Sequence, residues 1–187
     1  MTSRLTKYPF IPTDLNLPEV QAFSCGAERW DVEVAAWIKS PSGPNSVLED
    51  MRQFGTEVWL HRTDAGVFVG YSSLGQTTYT WPPKSKRKEV VSVIPFIGID
   101  EQFKGEPKGA SRDDKFAYQI LDELLAVAAG KTERYPLVVL SVDRENKRAI
   151  RFYEYRGFVN LNLPRTDQAT GIVYERMVRS LTDLIPS

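Results

Sequence analysis

Val91-Ser92-Val93-Ile94-Pro95-Phe96-Ile97-Gly98-Ile99-Asp100 opens the segment whose reading decides the fold. The run has the length and β-branched content of a strand. It leads into a loop rich in Gly and Lys, from Gln102 to Lys115. Beyond the loop, Phe116, Ile120, Leu121, Leu124, Leu125 and Ala128 recur at steps of one, three and four, which predicts a helix with one apolar stripe. Asp113 and Asp114 stand where acidic residues favour a helix start, and Gly130 stands where a helix would end. A second apolar run, Leu137-Val138-Val139-Leu140-Ser141-Val142, predicts another strand. A second helix follows over about Glu145 to Arg156, with Gly157 as its stop. Phe158 to Leu163 and Gly171 to Val178 read as closing strands.

Working outward toward the N-terminus, the first eighteen residues carry Pro9, Pro12 and Pro18 and little periodicity, so 1–18 reads as an irregular lead-in. Trp30, Val34, Trp37 and Ile38 have helical spacing, and Ser40-Pro41-Ser42-Gly43-Pro44-Asn45 stops that helix. A shorter helix is predicted over Val47 to Gln53. Thr56 to Arg62 and Val67 to Gly75 read as strands around the turn Thr63-Asp64-Ala65-Gly66. Trp81-Pro82-Pro83-Lys84-Ser85-Lys86-Arg87-Lys88 is a rigid, basic loop. Strands first, then strand and helix in alternation, predict an α+β protein whose sheet is antiparallel at its start and partly parallel later.

With 187 residues the chain fits one domain, 1–187, with a sizeable core. Its formal charge is balanced, so no global field draws it to nucleic acid or an anionic membrane. The apolar runs are strand-sized, well short of the roughly 20 residues of a membrane span. Residues Met1 to Lys7 lack the apolar core of a secretory signal, which leads to the expectation of a cytoplasmic protein. The single Cys25 excludes an internal disulfide, and one Cys with one His leaves no metal cluster of those ligands.

Gln102-Phe103-Lys104-Gly105 at the end of a strand, and Asn146-Lys147-Arg148-Ala149-Ile150-Arg151-Phe152-Tyr153-Glu154-Tyr155-Arg156-Gly157-Phe158 after the next, make the chain resemble the GNAT superfamily of N-acetyltransferases. The resemblance implies a GNAT-like mixed, mostly antiparallel central sheet flanked by helices, with 90–160 as the acyl-CoA-binding core. It implies acetyl-CoA as co-substrate, no metal, and direct attack by an amine on the thioester. In that family a loop patterned Q/R-x-x-G-x-G/A offers backbone N–H groups to the pyrophosphate at a helix start, where unpaired amides carry partial positive charge. Carried over, the cradle is Gln102, Phe103, Lys104, Gly105, Lys108, Gly109, Ala110 and Ser111. Here the second half of the pattern departs: Glu106-Pro107 stands in it, and proline has no N–H to donate. The loop is lengthened, and Lys104, Lys108, Arg112 or Lys115 could reach phosphates.

By the same resemblance Ile97, Gly98 and Ile99 form the rail beside the donor, where a main-chain N–H polarises the thioester carbonyl. Asn146 would contact the pantetheine arm, and it also suits a helix cap. Tyr153 would be the catalytic acid that protonates the departing thiolate, a role open to a phenol neutral at pH 7. No general base declares itself: Asp100 and Glu101 sit at the strand end as charges at a loop mouth, and His61 reads as a partly exposed strand residue. The implied partner is a small-molecule or protein amine, without a membrane, and pairing as a homodimer is common in the family. Phe23-Ser24-Cys25-Gly26 with Trp30 and Trp37 also resembles the toxin acetyltransferases that act on aminoacyl-tRNA, the one reading in which nucleic acid is a partner. A non-catalytic, CoA- or partner-binding protein of the same fold is the reading that Pro107 favours.

Overall fold

The computed structural model describes residues 4–43, 45–80, 88–131 and 136–184. The basic loop 81–87 lies outside the described residues. In chain order the elements are β1 Leu5–Pro9, α1 Pro18–Ala22, α2 Arg29–Lys39, α3 Val47–Phe54, β2 Glu57–Thr63, β3 Phe68–Thr80, β4 Lys88–Ile94 and β5 Ile97–Ile99. Then come α4 Phe116–Lys131, β6 Leu137–Asp143, α5 Lys147–Tyr155, β7 Val159–Asn160, β8 Arg165–Thr166 and β9 Val173–Ser180. By contacts the chain divides into two compact units, Met1–Gly75 with Phe96–Leu124 and Gln76–Pro95 with Leu125–Ser187. The fold class is α+β, with mostly antiparallel strand pairs, as the sequence predicts.

In the first unit β1 pairs with β2, β2 with β3 and β3 with β5, all antiparallel. The β2–β3 hairpin closes through Gly66 N–H to the Thr63 carbonyl, 2.8 Å, with Gly66 at φ +79°. Phe23 after α1 and Trp37 and Ile38 of α2 pack with Val58 of β2 and Tyr71 of β3 in one buried cluster. Trp37 stacks on Tyr71 at 5.6 Å between centroids and lies 4.9 Å from Phe96. Both polar tips find partners, Trp37 Nε1 donating to Asp50 at 2.7 Å and the Tyr71 hydroxyl to the Val34 carbonyl at 2.6 Å. The buried rings thus add apolar contact without an orphaned donor. Another cluster joins Leu5, Val69, Ile97 and Ile99 to Phe116 and Ile120, the first stripe residues of α4.

The lead-in needs correction, since its described part, 4–18, is not irregular. Leu5–Pro9 is a strand, in register from Leu5↔Thr63 to Pro9↔Trp59, and a 3₁₀ turn follows at Pro12–Asn16. Prolines are tolerated here because Pro9 ends a strand whose only described partner is β2, and Pro12 and Pro18 each sit at the first position of a helical turn.

The 91–100 run also resolves into two strands. Pro95 cannot donate to a ladder, and Phe96 turns its main chain to Ser73: Phe96 N–H meets Ser73 Oγ at 2.9 Å, and Ser73 N–H meets the Phe96 carbonyl at 3.0 Å. β4 pairs parallel with β6, whereas β5 goes to β3.

In the second unit β6 lies between β4 and β9, antiparallel to β9 from Leu137↔Ser180 to Asp143↔Tyr174. β7 and β8 both pair with β9. Val91, Leu137, Val139 and Val178 form its buried cluster. The α4 stripe is buried as expected at Phe116, Ile120, Leu121, Leu124, Leu125 and Ala128; each such Leu or Ile contributes about 1.5–3 kcal/mol. No helix of the described residues is long and apolar enough to cross a membrane.

Candidate functional site

β5 makes one strand pairing among the described residues, with β3. Asp100 N–H bonds the Val69 carbonyl and Ser73 N–H the Phe96 carbonyl, so the even-numbered main-chain groups 96, 98 and 100 face β3. By strand alternation those of Ile97 and Ile99 point away. Nearby Cys25 is buried, and its thiol is pushed up to about 12, chiefly by that burial. Within the rail, Ile97 and Ile99 keep N–H groups that no described strand takes.

Gly98 is required to be glycine by the aromatic core. A Cβ there would stand 2.5 Å from Tyr71 Cε1 and 2.9 Å from Phe23 Cζ, inside the aromatic core. Across the pair, a Cβ on Gly70 would stand 2.1 Å from the Gly98 carbonyl oxygen. Two glycines let β3 and β5 approach under a roof of rings.

The loop after β5 starts with a 3₁₀ turn, Glu101–Phe103, capped by Asp100, whose Oδ1 accepts the Gln102 N–H at 3.2 Å. Phe103, Lys104 and Glu106 donate to carbonyls three residues back, and Ala110 to that of Pro107. Lys108 N–H bonds the Glu106 carboxylate at 2.8 Å. The loop is pinched shut at its base, Phe116 N–H meeting the Glu106 carbonyl at 2.9 Å and Lys115 Nζ the Gly105 carbonyl at 2.6 Å. The lengthened segment is thus a closed excursion that returns the chain to the start of α4. Of the cradle, Gln102, Phe103, Lys104, Lys108 and Ala110 have their amides engaged within the loop. The N–H groups of Gly105, Gly109 and Ser111 make no hydrogen bond to the described residues. Gly105 at φ +84° and Gly109 at φ +75° supply the left-handed turns that expose them. Their amides and Ile97 suit an anionic, extended donor.

The cations divide too. Lys104 turns back to Asp31 on α2, Nζ to Oδ1 at 2.9 Å, half-buried. Lys108 is extended into solvent, its ammonium 3.9 Å from Glu106. Asp100 is held by its cap and by the Ser24 N–H at 3.4 Å, a structural duty that accounts for its place at the loop mouth. With Glu19 and Glu101 it lines an open groove walled by Val67 and Phe68.

In the second unit Asn146 precedes α5 and Tyr153 lies in its last turn. Asn146 is its N-cap, Oδ1 accepting the Ala149 N–H at 3.0 Å. Tyr153 packs edge-on against Phe158 at 5.5 Å between centroids. Its phenol is half-buried, and the water it loses pushes its pKa above the usual range, so it is neutral at pH 7. Gly157, at φ +79°, makes the turn that brings Phe158 back, and the Phe158 N–H meets the Tyr153 carbonyl at 3.1 Å.

His61 corrects the sequence reading: it is 1 % exposed, with Nε2 2.8 Å from Ser72 Oγ. Its Nδ1 lies 3.9 Å from Glu123 Oε2 of α4, and both atoms are buried without a hydrogen-bond partner. The order Ser72, His61, Glu123 mimics a hydrolase relay. Ser72 is as buried as His61, so no substrate carbonyl reaches it. Among the described residues no group of three or more His, Cys, Asp or Glu could hold a metal.

No protein-family model matches the chain, and no curated protein matches it by sequence. Solved structures do. The toxin AtaT, as a mutant bound to the C-terminus of the antitoxin AtaR and acetyl-CoA, matches with a TM-score of 0.62 at 12% identity, over 96% of this chain and 95% of that one. A GNAT-family protein from Desulfovibrio desulfuricans matches with a TM-score of 0.62 at 14% identity, over 96% and 100%. The spermidine/spermine N-acetyltransferase SpeG from Vibrio cholerae matches with a TM-score of 0.59 at 14% identity, over 96% and 94%. The chain has the fold of the GNAT acetyltransferases, over nearly its whole length.

Proposed function

We propose that the chain, as one domain over 1–187, is an acetyl-CoA-dependent N-acetyltransferase that passes the acetyl group to an amine by direct attack. The observation that carries this reading is the sequence of groups from Ile97 to α4: a strand edge with an outward N–H, then exposed glycine amides, then a helix start. The AtaT structure, which holds acetyl-CoA on the same fold, supports it. The Ile97 N–H would polarise the thioester carbonyl, and the amides of Gly105, Gly109 and Ser111 with Lys108 would receive the pyrophosphate. Tyr153 would donate its proton to the thiolate as the acetyl–sulfur bond breaks, while the attacking amine loses a proton to water or to a carboxylate of the Asp100–Glu101 turn.

The acceptor is an amine, in keeping with the polyamine substrates named for SpeG. A toxin-type activity on aminoacyl-tRNA is the second reading, favoured by the match to AtaT. Release of free CoA thiol in the presence of polyamines, amino-terminal peptides or aminoacyl-tRNA separates them. Tyr153→Phe should slow release by about 10²-fold with acetyl-CoA affinity unchanged. Equal turnover in that variant would remove Tyr153 from the mechanism. Binding of acetyl-CoA without turnover on any amine would favour a non-catalytic role.

A further inference from the structure

Phe23-Ser24-Cys25-Gly26 is stitched to the start of the candidate phosphate loop. Glu101 N–H bonds the Ser24 carbonyl at 2.7 Å, and Ser24 N–H bonds the Asp100 carboxylate at 3.4 Å. Gly26, at φ +121°, then wraps the Asp31 carboxylate so closely that a Cβ would stand 2.8 Å from Oδ2. Into this pocket comes Lys104 from the loop, 73 residues away in sequence, its side chain 24% exposed against 16% for Asp31. A half-buried pair of this kind holds its geometry better than a solvated one. Lys104 is also the residue at which the 3₁₀ turn ends and from which the chain enters Gly105.

We infer that Asp31 is a positioning residue for the donor loop, acting through Lys104, and that Lys108 rather than Lys104 is the cation that meets the donor phosphates. The inference rests on the acetyl-CoA reading for the loop's ligand. The tie itself does not. Asp31 fixes where Lys104 is, and Lys104 fixes the exit direction of Gly105, whose amide faces the ligand. Lys108 has no comparable anchor, so its charge stays available.

The sign of two substitutions decides the matter. If Lys104 only positions, Asp31→Asn and Lys104→Met each weaken acetyl-CoA binding by about tenfold, and the double variant is no worse than either. Their binding keeps the salt dependence of the unaltered protein, whereas Lys108→Met loses affinity at low salt and little at high salt. Lys104→Arg, which keeps the pair, restores much of the affinity. If Lys104 instead touches phosphate and Asp31 competes for it, Asp31→Asn tightens binding while Lys104→Met weakens it, and the inference is overturned.

A tie of merely structural value lowers the melting temperature of both variants and leaves the dissociation constant alone, which also overturns it. Hydrogen exchange at the bonded amides of Phe103, Lys104 and Glu106 should quicken equally in both variants. Unchanged exchange would dismiss the tie whether or not acetyl-CoA binds. Failure of the unaltered protein to bind acetyl-CoA, with exchange quickened as expected, would refute the ligand and keep the tie.

Discussion

His61 should make the protein sensitive to mild acid in a way one substitution abolishes. Burial lowers its folded pKa from 6.5 to about 3, with Lys7 of β1 adding to the shift. Between those values the unfolded chain binds a proton that the folded chain refuses, so stability falls as pH falls. The slope is about 1.4 kcal/mol per pH unit, or roughly 2–3 kcal/mol from pH 6.5 to 4.5. That is a large part of the 5–15 kcal/mol typical of a folded domain.

Glu123 acts with the opposite sign. Its folded pKa is raised above 4.5 by burial, so acidification through that window relieves a buried carboxylate and offsets part of the loss. The clean background is therefore Glu123→Gln, and the variant to compare is Glu123→Gln with His61→Gln, in which an amide that does not titrate keeps a partner for Ser72. Urea unfolding of both proteins at pH 7, 6 and 5 reads the difference. The protein that retains His61 should lose about 1.4 kcal/mol more per pH unit below 6.5 than the one carrying His61→Gln. Parallel pH dependences would show that His61 is not held neutral in the interior. Since it is the chain's only histidine, its ring nitrogens can be followed without assignment by ¹⁵N NMR.

Two further predictions concern glycine and the α5 cap. Gly70→Ala would drive a Cβ into the Gly98 carbonyl and should cost about 3 kcal/mol or more in urea unfolding, with weakened protection of the β3–β5 amides; Gly130→Ala, within α4 and with open space at its Cβ, should stabilise by about 0.5 kcal/mol. Asn146→Ala should cost about 1 kcal/mol by loss of the cap and Asn146→Asp much less, so an equal loss of acetyl-CoA affinity in both would assign the side chain a ligand contact beyond capping.

The parts legible in the sequence were those whose cause is local. The α4 stripe follows from spacing, the 63–66 turn from Asp-Ala-Gly, and the α5 cap from Asn146 ahead of an amphipathic run. The missed features depend on partners far along the chain. Leu5–Pro9 is a strand because β2 offers it a ladder, which its prolines conceal. His61 reads as half-exposed on alternation alone, and only α4, which brings Glu123, covers it. The need for glycine at 98 comes from Tyr71 and Phe23, both distant in sequence. Lys104 has the look of a phosphate contact because nothing near it in sequence reveals Asp31.

The central claim is that the Ile97-to-α4 segment holds acetyl-CoA. Calorimetric titration of acetyl-CoA into the purified chain, with dephospho- and desulfo-CoA analogues as controls, tests it most directly. Saturable one-to-one binding in the micromolar range is expected, weakened by Lys108→Met chiefly at low salt. No binding up to millimolar acetyl-CoA would contradict it, and would mean that Pro107 and the closed loop have left the fold without its donor site.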